Sequence, residues 1–405
     1  MTLSRRTVIA TASGALMTSL APGMKAAFAA QGATADRDIL VVIFLRFGSD
    51  GLTMVAPSET GEYRDKRPTI AVTSSGANAG LHVGALDGVP FFLHPKAAEL
   101  KALYDAKQMA IVHAVGLPTD TRSHFESQDM MERGWLPGNT PMLGGWLTRH
   151  LMSRRSMISE LGAVSAGADV HVPLHGFPGV VAIPDVTRFN VTGGDFNLSV
   201  IDALNAGSEP AAVSARETVA MIRNVQRRLK ALPAESETSS YPSGEFPTSL
   251  KTLAKIIKMN AGLEVATVDF SGWDHHFNMN KQFPGHTQHL SQTLAAFWND
   301  LKLFQKRLTV VTMTEFGRRL DENTAGGTDH GAASFVFVLG GAVAGGKIYG
   351  RWPGLKPADL REGDLRVTTD VRQVLQEVLV KRRGETSLEK IFPDLPYAPL
   401  GLVRA

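Results

Sequence analysis

The chain has no cysteine. It therefore uses no disulfides, and any metal it holds must sit on nitrogen and oxygen ligands. After the first thirty residues it has no run of about eighteen apolar residues, so no membrane span is expected in the mature chain. No Gly-x-x-x-x-Gly-Lys-Ser/Thr is present. "GGAVAGG" (340–346) lacks the strand and helix context of a dinucleotide site and reads as a turn. No Gly-x-Ser-x-Gly elbow occurs either, which argues against an α/β-hydrolase. An excess of one charge sign is also missing. The formal net charge is +3, and Arg5, Arg6 and Lys25 near the start account for all of it. The remainder is close to neutral, so nothing points to nucleic acid or an anionic lipid surface.

Those three cations belong to a targeting pattern. Ser4-Arg5-Arg6-Thr7 precedes a weakly apolar stretch, and Ala27-Phe28-Ala29 is a small-x-small cleavage site. Residues 1–29 are expected to be a twin-arginine signal peptide, which implies a periplasmic or secreted protein. Residues 30–405 are long enough for one large domain with an inserted cap.

"DILVVIFLRFGSDG" is apolar from Ile39 to Leu45 and then turns polar. A strand apolar on both faces belongs in a buried parallel sheet. Further strands are expected at 109–116, 263–273, 308–317 and 333–341, and helices at 94–108, 212–231, 289–306 and 370–382. This alternation predicts an α/β fold with a doubly wound, largely parallel sheet flanked by helices. Residues 150–250 break the rhythm and are expected to be an insertion that covers part of the sheet edge. Within them, 233–249 reads as a Pro- and Ser-rich loop.

Open α/β sheets place their sites at the carboxyl ends of strands. Four polar clusters there are candidates: Asp50; Asp274 with His275 and His276; Glu315 with Arg318; and Asp329-His330. Ser123-His124 opens a predicted helix as a fifth. Carboxylates with imidazoles suit a divalent cation such as Zn, Mn or Mg, one or two ions. Each cluster also has a plain structural account. Asp50-Gly51 is an ordinary turn dipeptide. Ser123 with Glu126 matches a helix capping box, and Glu315 has Arg318 and Arg319 nearby to pair with. His82, His94, His113, His150, His171 and His175 show no partner pattern and read as structural or surface residues.

The chain resembles the DUF1501 family of exported bacterial proteins. The resemblance rests on "LRFGSDGLTMVAP" (45–57), "SHFESQDMMERG" (123–134), "GWDHHFNM" (272–279), "TVVTMTEFGRRLDENTAGGTDHG" (309–331) and "VTTDVRQVL" (367–375), among others in order along the mature chain. That family is in turn similar to the alkaline phosphatase and sulfatase superfamily. The resemblance implies an alkaline-phosphatase-like sheet and a metal held by Asp50, Asp274, His276, Glu315, Asp329 and His330. It places Ser123 at the nucleophile position; His124 and Arg318 would bind the anion. The implied activity is hydrolysis of a phosphate or sulfate ester, or a related anionic ester, on a small molecule or polymer. Three departures bear on this. Phe316 stands where the superfamily has a His ligand, Phe47 where Gly is usual, and His275 is an extra imidazole. No Cys/Ser-x-Pro-x-Arg motif is present, which argues against a formylglycine sulfatase. The alternative is a non-catalytic exported binding or assembly protein that keeps the fold and has a protein partner. An oxidoreductase with an organic cofactor fits the export route but has no binding motif here.

Overall fold

The computed structural model describes residues 37–404, apart from 139–141, 143, 155–158, 160 and 234–238. The expected signal peptide, and part of the 233–249 loop, lie outside the described residues. The strands are β1 (Ile39–Leu45), β2 (Val55–Ala56), β3 (Leu81–Leu86), β4 (Val89–Leu93), β5 (Met109–Gly116), β6 (Ala163–Ser165), β7 (Val180–Ala182), β8 (Val265–Phe270), β9 (Leu308–Met313), β10 (Arg318–Glu322), β11 (Thr328–His330), β12 (Ser334–Gly340), β13 (Ile348–Tyr349) and β14 (Thr369–Asp370). The central sheet runs β13-β5-β12-β9-β1-β8-β6-β7, with β14 beside β5. β10 and β11 form a hairpin, and β2, β3 and β4 form a small side sheet.

Every residue of β1 is buried because both faces of the sheet are covered. Ile39, Val41, Ile43 and Leu45 enter one apolar core. Leu40, Val42 and Phe44 enter the other. Side chains that alternate across a strand thus face two helical layers. The main helices are α1 (Gly51–Met54), α2 (Ala98–Asp105), α3 (His124–Arg133), α4 (Trp146–Ser153), α5 (Pro210–Ala231), α6 (Glu245–Lys258), α7 (Met279–Asp300) and α8 (Val371–Arg383). The first core takes Leu100 of α2, Leu253 of α6 and Leu294 of α7. The second takes Met131 of α3, Leu147 of α4 and Val374 of α8. This is the doubly wound arrangement expected from the sequence.

Two differences have physical reasons. α7 starts ten residues before its expected position and contains Pro284. Pro284-Gly285 reads as a break, but burial of Met279 and Phe283, one turn apart on the same face, outweighs that local preference. Residues 150–250 do more than cover an edge. β6 and β7 extend the sheet from β8 in parallel register, and α5 buries Val219, Ile222 and Val225 in the first core. No helix among the described residues is long and apolar enough to cross a membrane.

Strand direction places the site. β8 and β9 run parallel to β1, whereas β12 is antiparallel to both β9 and β5. β5 therefore runs with β1. Segments that leave β1, β5, β8 and β9 emerge at one edge, and a segment that enters β12 returns to it. The sequence pattern predicts Asp329-His330 after a strand of the sheet. They instead lie on β11, just ahead of β12, and the reversed direction of β12 brings them to that edge.

Candidate metal centre

His124 is the first residue of α3. Ser123 caps this helix, its Oγ accepting the Glu126 N–H at 3.5 Å. Only half of the capping box forms, because the Glu126 carboxylate takes the Thr121 hydroxyl instead. Asp274 and His276 follow β8, and His330 ends β11. Three ring nitrogens converge on one carboxylate oxygen. Asp274 Oδ1 is 3.0 Å from His276 Nε2, 3.4 Å from His330 Nε2 and 3.5 Å from His124 Nε2. The Nε2 atoms of His276 and His330 are 2.9 Å apart.

The opposite nitrogen of each ring has an acceptor. His124 Nδ1 meets Glu315 Oε1 at 2.8 Å, His330 Nδ1 meets the Arg122 carbonyl at 2.8 Å, and His276 Nδ1 meets Asp329 Oδ1 at 3.3 Å. A carbonyl or carboxylate only accepts, so each Nδ1 carries the proton. In the neutral ring each Nε2 is then a lone pair; in the imidazolium it is a second donor, toward Asp274. His124 Nε2 is buried and lies 3.5 Å from Asp274 Oδ1. An acceptor behind each imidazole is how proteins orient histidine ligands toward a metal. Four donors at ~2.1 Å from a tetrahedral zinc would lie roughly 3.4 Å apart, and four of the six spacings here, from 2.9 to 3.5 Å, are close to that. His124, Asp274 and His330 also form a group whose ligand atoms all lie within 4.8 Å of one another. These residues fit a divalent cation.

Charge is concentrated at the same point. Burial would raise the Asp274 carboxyl, but hydrogen bonds from His124, His330 and Arg318 hold it far below the carboxylate range. Burial would lower the His124 imidazole, but hydrogen bonds to Asp274 and Glu315 push it up to about 9. Glu315 is depressed despite its burial, by hydrogen bonds from His124 and Gln128. The side chain of Asp274 stays 42% exposed, so the cluster is open on one side.

The other expected residues stand in different relations to the centre. Arg318 is buried and already committed. Its Nε donates to Gly48 O, Nη1 to Thr328 O, and Nη2 to both Phe47 O and Asp274 Oδ1. It clamps Asp274 and leaves no free fork for an anion. Glu315 orients His124, and Asp329 orients His276. Asp50 is not part of the group. Its carboxylate accepts from Arg67 Nη1 at 2.9 and 3.0 Å and from the Thr53 N–H at 3.0 Å, and so caps α1. His275 is buried with neither ring nitrogen hydrogen-bonded, and burial lowers it to about 4. Phe316 stacks on His124, its ring centroid 4.8 Å away. Phe47, held at φ 81, places its ring edge-on to His124. Asn278 starts α7 in the left-handed region, and its side chain makes no capping hydrogen bond. His286 Nδ1 faces the Gln282 carbonyl.

Sequence reasoning missed Arg67, Arg46 and Gln128. Gln128 carried a usable signal. It lies four residues after His124, on the same helix face. Nothing in the sequence linked Arg67 to Asp50.

The fold and this cluster define an α/β protein with a histidine–carboxylate centre at the carboxyl edge of its sheet. Residues 196–381 match the family model described as "Protein of unknown function (DUF1501)", the family to which the sequence motifs point. No curated protein matches the chain. Among solved structures, it is similar to the PsFucS1 sulfatase from Pseudoalteromonas sp., at 10% identity and TM-score 0.38, over 92% of this chain and 74% of that one. It is also similar to the alkaline phosphatase from the Antarctic bacterium TAB5, at 10% identity and TM-score 0.31, over 78% and 95%. For the phosphonate monoester hydrolase of Agrobacterium radiobacter the values are 8% and 0.35, over 90% and 79%.

Proposed function

We propose that the protein is an exported metal-dependent hydrolase of phosphate or sulfate esters, or of a related anionic ester. One observation carries this reading: three imidazole Nε2 atoms converge on Asp274 Oδ1 while an acceptor occupies each Nδ1. His124, Asp274, His276 and His330 would hold the cation, and a nitrogen-rich set with one carboxylate suits zinc before magnesium. A cation bound there supplies a Lewis acid that polarises an ester oxygen and offsets charge developing on it.

The chain's own residues prepare that centre. Arg318 fixes the Asp274 carboxylate, and Glu315 and Asp329 fix the His124 and His276 rings. Phe47 and Phe316 pack on His124 and keep water from its walled side. Ser123 acts as a helix cap in this reading.

The test uses the purified mature protein folded with zinc, manganese or magnesium. Metal content is measured first, then turnover of aryl phosphate and aryl sulfate esters. Absence of bound metal sinks the proposal. A second reading, a non-catalytic exported binding or assembly protein, is favoured by the full engagement of Arg318, which leaves that cation unable to grip an anion. Bound metal without turnover of any ester, together with a stoichiometric exported partner, selects it.

A further inference from the structure

A continuous hydrogen-bonded chain runs from the cluster into α3 and back to the end of β1. Glu315 Oε1 accepts from His124 Nδ1, from Gln128 Nε2 and from the Phe47 N–H, each at 2.8 Å. Gln128 Oε1 accepts from Arg46 Nη1 at 3.2 Å. Arg46 is anchored in turn, its Nη2 on Glu132 Oε1 at 2.6 Å and its Nε on Asp269 Oδ2 at 2.5 Å.

The direction of each bond follows from chemistry. A guanidinium has no acceptor, so the Gln128 amide must turn its oxygen to Arg46. Its NH2 then points at Glu315. With a backbone N–H and an amide N–H already donated to it, Glu315 Oε1 is an acceptor toward every neighbour. The third neighbour, His124 Nδ1, must be the donor. Once His124 is neutral, its lone pair is thereby left on Nε2, the atom that faces Asp274.

We propose that Gln128, aimed by Arg46, is a positioning residue that fixes the proton of His124 on Nδ1 and so prepares Nε2 as a metal ligand. The inference rests on the metal-centre reading. Neither residue touches a metal or a substrate; Gln128 acts through Glu315, and Arg46 acts through Gln128.

Zinc affinity of the full mature protein, measured by competition with a chromophoric chelator across a pH series, tests it. Gln128→Glu keeps the shape of the side chain but sets an acceptor against Glu315. At neutral pH it is expected to weaken zinc binding about 10- to 100-fold, the range for lost outer partners of a ligand. As pH falls, the gap to wild type should narrow, because a protonated carboxyl donates as the amide did. Gln128→Leu, which has no donor at any pH, should keep its gap. A purely structural role for Gln128 predicts gaps that do not depend on pH in either variant, and that result overturns the proposal. Equal zinc affinity of Gln128→Glu and wild type at neutral pH overturns it as well. If wild type binds no zinc, manganese or magnesium, the proposed function falls, and this inference falls with it.

Discussion

His276 and His330 face each other through their Nε2 atoms, 2.9 Å apart, and each has its Nδ1 proton committed elsewhere. Two bare lone pairs at that distance repel unless a cation or an extra proton lies between them. The pair is therefore the most sensitive probe of the centre. His276→Ala and His330→Ala should each reduce zinc affinity by more than the ~10–100-fold typical of an outer partner. Metal analysis after dialysis against a weak chelator checks this. Full metal retention in both variants would remove them from the ligand set.

The pH response of metal binding follows from His124. Its imidazole is held up to about 9 by Asp274 and Glu315 against the opposing effect of burial. A ligand must lose its proton, so below that pH zinc binding releases one from His124. Apparent affinity should rise with pH toward about 9, by close to tenfold per unit from this group alone. The metal-free fold behaves in the opposite sense. A raised imidazole stabilises the fold fully below its unfolded value of about 6.5, and that contribution is lost as pH rises through about 9. Paired zinc titrations and urea melts from pH 6 to 10 test both signs.

Arg67 and Asp50 form a buried ion pair, with side chains 0% and 1% exposed. Removing one partner leaves an uncompensated buried charge. Arg67→Met should cost about 3–5 kcal/mol. The double variant with Asp50→Leu should recover much of that loss. Asp50→Asn separates this role from metal binding. With Asp50 serving as cap and ion-pair partner, the folded variant keeps its zinc.

Ser123→Ala removes the cap of α3. The expected cost is about 1 kcal/mol, with metal content unchanged. Turnover that falls further than the unfolded fraction explains would give the hydroxyl a chemical role.

Acid sensitivity should come from a second buried pair. Burial would raise Glu385, but hydrogen bonds from His150, Ser153 and the Ser387 N–H hold it at about 2, against its ordinary 4.5. A depressed carboxylate stabilises the fold above its unfolded value, and the contribution is lost as pH falls from 4.5 toward about 2. Glu385→Gln should flatten the stability profile in that window, as read by urea unfolding at pH 5 and pH 3.

The strands of the sheet were legible because burial on both faces leaves continuous apolar runs, as in β1, β5 and β12. The direction of β12 was not, since an antiparallel strand inside a covered sheet has the same composition as a parallel one. Asp274, His276 and His330 stood out because charged and imidazole groups directly beside buried strands need a reason. His124 was noticed but expected at the anion. Its part in the cluster depends on Glu315 behind it, a contact across 191 residues. Arg318 was legible as a neighbour of the site. That its donors are spent on Gly48, Phe47 and Thr328 carbonyls depends on backbone geometry that no residue pattern announces.

The reversed strand β12 has a consequence for assembly. The donors lie at 124, 274, 276 and 330, and they meet only when β5, β9, β1 and β8 are aligned and β12 is seated between β5 and β9. Contacts so far apart in sequence are slow to form. Metal loading would thus report a finished sheet. A chain whose C-terminal fifth has not yet docked lacks the His330 wall, so the centre would double as a checkpoint on complete folding.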